Sequence, residues 1–273
     1  MMNVNREKCI ACGLCIKDCP VKCIKLVDGK AEIDNDRCMK CGHCIAICPV
    51  NAVTTDEYNM DEVKEYDKEN FEVNPENLLN FIKFRRSVRS FKNIDVENDK
   101  IEKIIEAGRF TQTSTNSQDV SYIVVKEQKE ELRVMVLESL NNMGKNILNN
   151  LNEQTKPFER YARMWVSMYD AYKNNKDAED RIFFNAPAII LVVSKTPING
   201  GLASTNMELM TNALGLGTFY SGFLVRASQG NHKMRALLRL KDGEEIVTCM
   251  VIGYPNVKYQ RTVPRKAAQI TWK

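Results

Sequence analysis

Two histidines and two tryptophans are all the chain holds of those residues in 273 positions, and its longest apolar run, Ala186 to Val193, is interrupted by Pro187. A run that short cannot span a bilayer, so no membrane partner is expected. His43 lies inside a cysteine loop and His232 in the polar stretch SQGNHK. Neither belongs to a motif for acid/base or metal work, so reactivity must come from cofactors. Gly215-Leu216-Gly217 lacks the third glycine and the βαβ setting of a dinucleotide fingerprint and reads as a helix ending. No dense Lys/Arg tract with interleaved aromatics is present, which argues against nucleic acid. Arg6, Glu7 and Lys8 follow directly on Met1, so no targeting segment is expected and the location is read as cytoplasmic, where thiols stay reduced.

Cysteine is what the chain has instead. Eight of its ten cysteines fall into two runs of C-x2-C-x2-C-x3-C-P, namely Cys9, Cys12, Cys15, Cys19-Pro20 and Cys38, Cys41, Cys44, Cys48-Pro49. That run is the bacterial two-cluster ferredoxin signature, in which the fourth cysteine of each run serves the other cluster. Cluster I is therefore expected on Cys9, Cys12, Cys15 and Cys48, and cluster II on Cys38, Cys41, Cys44 and Cys19. The competing readings are disulfides or two Zn(Cys)4 sites, but zinc motifs pair two C-x2-C units across a longer spacer. The repeat extends beyond the ligands, with Gly13 matching Gly42, Ile16 matching Ile45 and Val21 matching Val50. Cys23, where the second repeat has Ala52, reads as a small buried thiol near a cluster rather than a ninth ligand.

Charge divides the rest. Residues 1–55 carry eight Lys or Arg against six acids, residues 56–72 two against eight, and the remainder 29 against 21. The acidic stretch reads as a solvated connector, part helical through Met60, Val63 and Tyr66. The expected organisation is a ferredoxin module over 1–55, an acidic linker over 56–74 and a larger domain over 75–273. In that domain Pro75 opens a helix carrying Leu78, Leu79 and Ile82, and a second helix after Asp95 is expected to stop at Gly108. Strands are expected at Tyr122–Val125, at AIILVV, at Thr218–Val225 and at Ile246–Gly253. Helices are expected over 127–183, from Ser204 to about Leu214, and at Met234–Leu240. The class is α+β, a mixed sheet flanked by helices.

The larger domain is similar to the nitroreductase family of homodimeric FMN oxidoreductases. The likeness rests on Arg85-Arg86-Ser87-Val88-Arg89-Ser90-Phe91, then Thr113-Ser114-Thr115-Asn116-Ser117-Gln118, Asn185-Ala186-Pro187, Ala213 to Thr218 leading to Ser221-Gly222-Phe223, and Gly253-Tyr254-Pro255. The whole chain resembles ferredoxin-fused nitroreductases. The resemblance implies that Arg85, with Arg265 and its neighbour Lys266, holds the FMN phosphate, a role suited to the planar guanidinium. It implies ribityl-phosphate contacts from Arg86 and Ser87 and a cation, Arg89, near the pyrimidine end of the ring. Ser221 and Gly222 match a turn facing the flavin edge. Thr113, Ser114 and Asn116 match residues that reach FMN from the partner subunit. Arg181 is a further candidate for the ring.

Each [4Fe-4S] cluster carries one electron, whereas reduction of a nitro, quinone or similar small organic acceptor takes two. The expected enzyme is thus an FMN-dependent oxidoreductase fed by an external ferredoxin or other low-potential donor, delivering hydride from flavin N5. Two rivals are a dehydrogenase that runs the flow in reverse and exports single electrons, and a non-enzymatic redox relay or sensor. Phe158, Tyr161, Trp165, Met168 and Tyr172 form a helical stripe that reads as core or dimer packing rather than a substrate lid, and Cys249 reads as a buried strand residue.

Overall fold

The computed structural model describes residues 1–273 and divides into two compact units, residues 1–74 together with 114–117, and residues 75–113 together with 118–273. In the first unit, strand β1 (Met2–Val4) pairs antiparallel with β4 (Val53–Thr55), and β2 (Ile24–Val27) forms a hairpin with β3 (Lys30–Ile33). Two single-turn helices, α1 (Leu14–Asp18) and α2 (His43–Ala46), follow the cysteine loops. Each is entered through a left-handed glycine, Gly13 at φ 74° and Gly42 at φ 76°, so the internal repeat is a repeat of backbone conformation that a side chain would strain. The core is small, and four of its nine buried residues are cysteines, Cys9, Cys19, Cys23 and Cys44. Residues 56–74 contribute nothing to that core. They hold a 3-10 turn at Met60–Glu62 and a one-turn helix α3 (Lys68–Phe71), capped by the Asp67 carboxylate accepting from the Glu69 amide, both without buried residues.

The second unit runs α4 (Pro75–Phe84), α5 (Asn98–Arg109), β5 (Ser121–Val125), α6 (Lys129–Asn149), α7 (Glu159–Asn174), β6 (Ala188–Ser194) and α8 (Pro197–Ala213). It continues with β7 (Gly217–Tyr220), α9 (Gly222–Ser228), α10 (His232–Leu237) and β8 (Glu245–Gly253). The sheet order is β5-β6-β8-β7 with antiparallel neighbours throughout, and a parallel bridge between Ser87 and Thr218 makes the sheet mixed. All seven residues of β6 are buried, which is why AIILVV is apolar throughout rather than alternating. Ile189, Leu191 and Val193 pack into a core with residues of α6, α7 and α9, while Ala188, Ile190 and Val192 pack with residues of α5 and α8 on the other face. No helix is long and apolar enough to cross a membrane.

Several elements differ from the sequence pattern. The strand expected to reach Val225 stops at Tyr220. The Ser221 amide donates to the Cys249 carbonyl at 2.8 Å, and Gly222 then begins α9. Helix α8 starts at Pro197, ahead of the expected Ser204, because proline is compatible with a first helical turn. Helix α5 ends at Arg109, one residue beyond the expected stop at Gly108. A Cβ on Gly108 would stand 2.6 Å from Tyr122 Oη and 2.9 Å from Met207 Sδ, so this glycine is a close-packing position. The aromatic stripe divides: Trp165, Met168 and Tyr172 are buried in the core, whereas Phe158 and Tyr161 are exposed. Cys249 is fully buried in β8, as expected.

Gly217, at the start of β7, is similarly tight: a Cβ would meet Val88 Cγ2 at 2.6 Å and Val88 Cβ at 2.8 Å. Gly217→Ala is expected to lower the unfolding free energy by an overpacking cost of about 1–3 kcal/mol, read as a lower midpoint in urea. In the double variant with Val88→Ala the two costs combine less than additively, which a double-mutant cycle on unfolding reads directly.

Candidate cofactor sites

The cysteine sulfurs of the first unit gather into two groups, each around an apolar-lined opening. One is lined by Cys9, Cys12, Cys15 and Cys48 with Ile10, Leu14, Leu26 and Val53 among its neighbours. The other is lined by Cys19, Cys38, Cys41 and Cys44, and also by Cys23. Each group takes three cysteines from one repeat and one from the other. No three of these side chains converge as the ligands of a single ion would. Backbone amides point at the sulfurs: Ala31 to Cys9 Sγ at 3.5 Å, Cys23 to Cys19 Sγ at 3.4 Å, Lys40 to Cys38 Sγ at 3.4 Å and Ala52 to Cys48 Sγ at 3.2 Å. Such donors favour the thiolate, and the amides of Ala31 and Ala11 hold Cys9 below the ordinary thiol range. Burial works the other way at Cys44 and pushes it up to about 11, so filling this group releases a proton that the empty site would retain. Thiolate sulfurs with amide donors in an apolar pocket fit a [4Fe-4S] cluster.

In the second unit the segment Arg85–Phe91 is pinned as an added strip at the sheet margin. The Val88 amide donates to the Thr218 carbonyl at 3.0 Å, Phe91 bridges Pro255, and the Lys92 amide donates to the Tyr254 carbonyl at 2.8 Å. Val88 points inward and is buried, which leaves Ser87 and Arg89 exposed on either side of it. Arg85 Nη1 donates to Glu208 Oε1 at 2.7 Å, and Glu208 is nearly buried. Burial raises the Glu208 carboxyl and Arg85 lowers it, so the pair sits between two opposed effects. Arg86 is half-buried and pairs with no carboxylate, and Arg89 lies over the Phe219 ring at 5.0 Å. With one of its three guanidiniums neutralised by Glu208, the strip keeps a net positive charge suited to a phosphate. Ser221 is buried with its hydroxyl donating to the Ile182 carbonyl at 3.1 Å, and Gly222 faces open space where a Cβ would stand.

Residues 82–254 match the nitroreductase family, almost the whole of this second unit. The chain belongs to the nitroreductase family. Residues 4–77 match the 4Fe-4S dicluster domain, so the nitroreductase domain is preceded in the same polypeptide by an iron–sulfur module. Both expected halves, the ferredoxin-type module and the FMN-dependent oxidoreductase domain, are borne out by these matches. Among solved structures the fold is similar to a BluB-like flavoprotein from Clostridium difficile 630, at 19% identity over 71% of this chain and 99% of that chain, with a TM-score of 0.54. It is also similar to a nitroreductase with bound FMN from Bacteroides fragilis NCTC 9343, at 18% identity over 73% of this chain and 100% of that chain, with a TM-score of 0.51. No curated protein matches the chain in sequence.

The other candidate residues of this nitroreductase-family chain have surroundings of their own. Arg265 and Lys266 lie in an exposed tail, residues 256–273, without helix or strand, where Arg265 Nη1 reaches the Pro264 carbonyl at 3.4 Å. Thr113 Oγ1 accepts from the Gln118 amide at 2.9 Å, and Ser114 is exposed. Asn116 belongs to the first compact unit, where its side-chain amide donates to the Met39 and Lys40 carbonyls, 3.1 Å each. Arg181 is half-exposed beside Glu179. Sequence reasoning missed Glu208, which sits in an ordinary apolar helix pattern until Arg85 is placed beside it. It also missed Asp119, whose carboxylate accepts from Ser194 Oγ, the Thr196 amide and Asn199 Nδ2 at 2.7, 3.1 and 2.6 Å and so anchors the start of α8.

Arg85→Gln removes the cation that lowers the Glu208 carboxyl while burial still raises it. A raised folded-state carboxyl pKa makes the folded chain bind more protons than the unfolded one, so stability falls as pH rises above the ordinary carboxylate range. The variant is therefore expected to be destabilised more at pH 8 than at pH 4 relative to the parent, read from urea midpoints at the two pH values. Arg85→Gln with Glu208→Gln is expected to lose that pH dependence.

Proposed function

We propose that the chain acts as a cytosolic homodimer that takes electrons from an external ferredoxin or similar low-potential donor and reduces a small organic acceptor such as a nitro or quinone compound. The observation that carries this reading is the joining, in one polypeptide, of a dicluster module to a nitroreductase domain that has no histidine pair and no dinucleotide fold of its own. When bound, the clusters supply single electrons at potentials near about −400 mV, and FMN supplies the two-electron delivery that the acceptor requires.

The protein's own residues serve that exchange by holding and tuning. Cys9, Cys12, Cys15 and Cys48 hold one cluster and Cys38, Cys41, Cys44 and Cys19 the other, with backbone amides donating to the sulfurs in both. Arg85, Arg86 and Ser87, with Arg265 and Lys266, hold the FMN phosphate and ribityl portion by charge-assisted hydrogen bonds. Arg89, kept in place against Phe219, presents positive charge where reduced flavin gathers negative charge. Ser221 and Gly222 turn their backbone to the flavin edge, and Thr113, Ser114 and Asn116 reach the FMN of the other copy. Support for a dimer comes from α4, which buries no residue and exposes Leu78, Leu79, Ile82 and Phe84, and from the tail, where Trp272 is 90% exposed. A single copy leaves these apolar groups in water, and a second copy covers them.

Anaerobic titration tests the direction: photoreduced ferredoxin is expected to bleach clusters and flavin together, whereas rapid flavin reduction by NADPH alone, with the clusters following, would point to electron export. A protein without flavin bands over the cluster absorption would be a relay. Cys48→Ser is expected to abolish one cluster's EPR signal and leave the other. Ile82→Glu is expected to shift the dimer to monomer in sedimentation and to release FMN while iron content holds.

A further inference from the structure

The two cluster half-sites are copies of each other, and one side chain breaks the copy. After the fourth cysteine of each run the chain makes the same local turn, and a backbone amide four residues on donates back to that cysteine's sulfur. The Cys23 amide reaches Cys19 Sγ at 3.4 Å, and the Ala52 amide reaches Cys48 Sγ at 3.2 Å. The turns share their backbone as well, with Lys22 at φ 52° and Asn51 at φ 49°. What differs is the group on the next Cα. In the first repeat it is a buried thiol whose Sγ lies 3.6 Å from Cys19 Sγ. In the second repeat it is the methyl of Ala52, equally buried. Cys23 lines the opening formed by Cys19, Cys38, Cys41 and Cys44, while Ala52 lines that of Cys9, Cys12, Cys15 and Cys48.

We propose that Cys23 is a positioning residue that raises the reduction potential of cluster II above that of cluster I by donating an S–H hydrogen bond to the ligand sulfur of Cys19. Cys19 is given to the cluster as a ligand and Cys23 is not, so across their buried 3.6 Å contact Cys23 is the side left with an S–H to donate. Reduction adds one electron to the cluster, and a donor to a ligand sulfur stabilises the more negative, reduced form more than the oxidised one. No bond is made or broken in the protein. Cluster I has only the amide of Ala52 at this place, so an electron shared between the two clusters settles on cluster II. The module then has a built-in direction, with cluster I as the entry and cluster II as the holding site.

This rests on the ligand sets proposed above, and the two can fail separately. Iron and sulfide content reads the ligand sets, and midpoint potentials read the role of Cys23. The experiment is EPR-monitored redox titration of the cluster-loaded full chain in four forms: parent, Cys23→Ala, Cys23→Ser and Ala52→Cys. All four are expected to retain two four-iron clusters. In Cys23→Ala the cluster II midpoint is expected to fall by an amount equivalent to a threefold to tenfold change in its oxidised-to-reduced ratio, where tenfold is 59 mV for a one-electron couple. Cluster I is expected to stay unchanged. Cys23→Ser, whose hydroxyl still donates, is expected to recover most of the shift, and Ala52→Cys is expected to move cluster I upward. The proposal is overturned if both midpoints in Cys23→Ala match the parent. It is equally overturned if Cys23→Ala loses cluster II, which would make Cys23 a ligand or a structural thiol, or if Ala52→Cys leaves cluster I where it was.

Discussion

Each cysteine-lined opening in the N-terminal unit is closed by a sulfur from the other repeat, and the unit's fold depends on that exchange. Its strands are three or four residues long and its helices a single turn. A module this small buries too little apolar surface to balance the entropy of ordering its loops. With four cysteines among nine buried residues, the thiols form much of what core there is. Filling either site draws both repeats together, so cofactor loading and folding are one process rather than two.

The second unit meets the opposite requirement. It is stabilised by a conventional two-sided core around β6, and its site is made at the margin of that core. The Arg85–Phe91 strip is tied to β7 and to the chain after β8 by backbone bonds, with Val88 sealed beneath it against Gly217. The arginines therefore sit on a rigid base, Arg85 and Arg86 half-buried and Arg89 exposed. Glu208 fixes Arg85 from below at the cost of part of its charge, so Arg86 and Arg89 carry the remaining attraction for an anion. Arg85 is already oriented by a buried carboxylate, the preorganisation that the proposed phosphate contact calls for.

The most legible parts of the chain were those where one residue type does one job. Cysteine spacing named the iron–sulfur module, and the continuous apolar run at Ala188–Val193 gave a buried central strand. Arg85–Phe91 pointed to the nitroreductase family only together with the motifs that follow it in order along the chain, since each piece alone is weak. Patterning failed where long-range contacts decided the outcome. Thr218–Val225 is apolar enough to continue as a strand, but the pairing with β8 ends at Tyr220 and Ser221 turns the chain into α9. Gly108 lies one residue before the end of α5, and what its pattern did not show is the close approach there to Tyr122 and Met207. The early start of α8 follows from Asp119, distant in sequence, gathering Ser194, Thr196 and Asn199. Glu208 had no signal of its own, since its meaning comes only from Arg85, 123 residues away.

The central claim is that the N-terminal clusters supply the nitroreductase site. Stopped-flow mixing of photoreduced ferredoxin with the parent protein and with a Cys44→Ser variant tests it most directly, with flavin and cluster absorbance followed together. The account predicts that in the parent the clusters bleach first and the flavin follows, and that in the variant flavin reduction by ferredoxin slows by orders of magnitude while FMN content is retained. Flavin reduction at the parent rate in a variant lacking cluster II would contradict it.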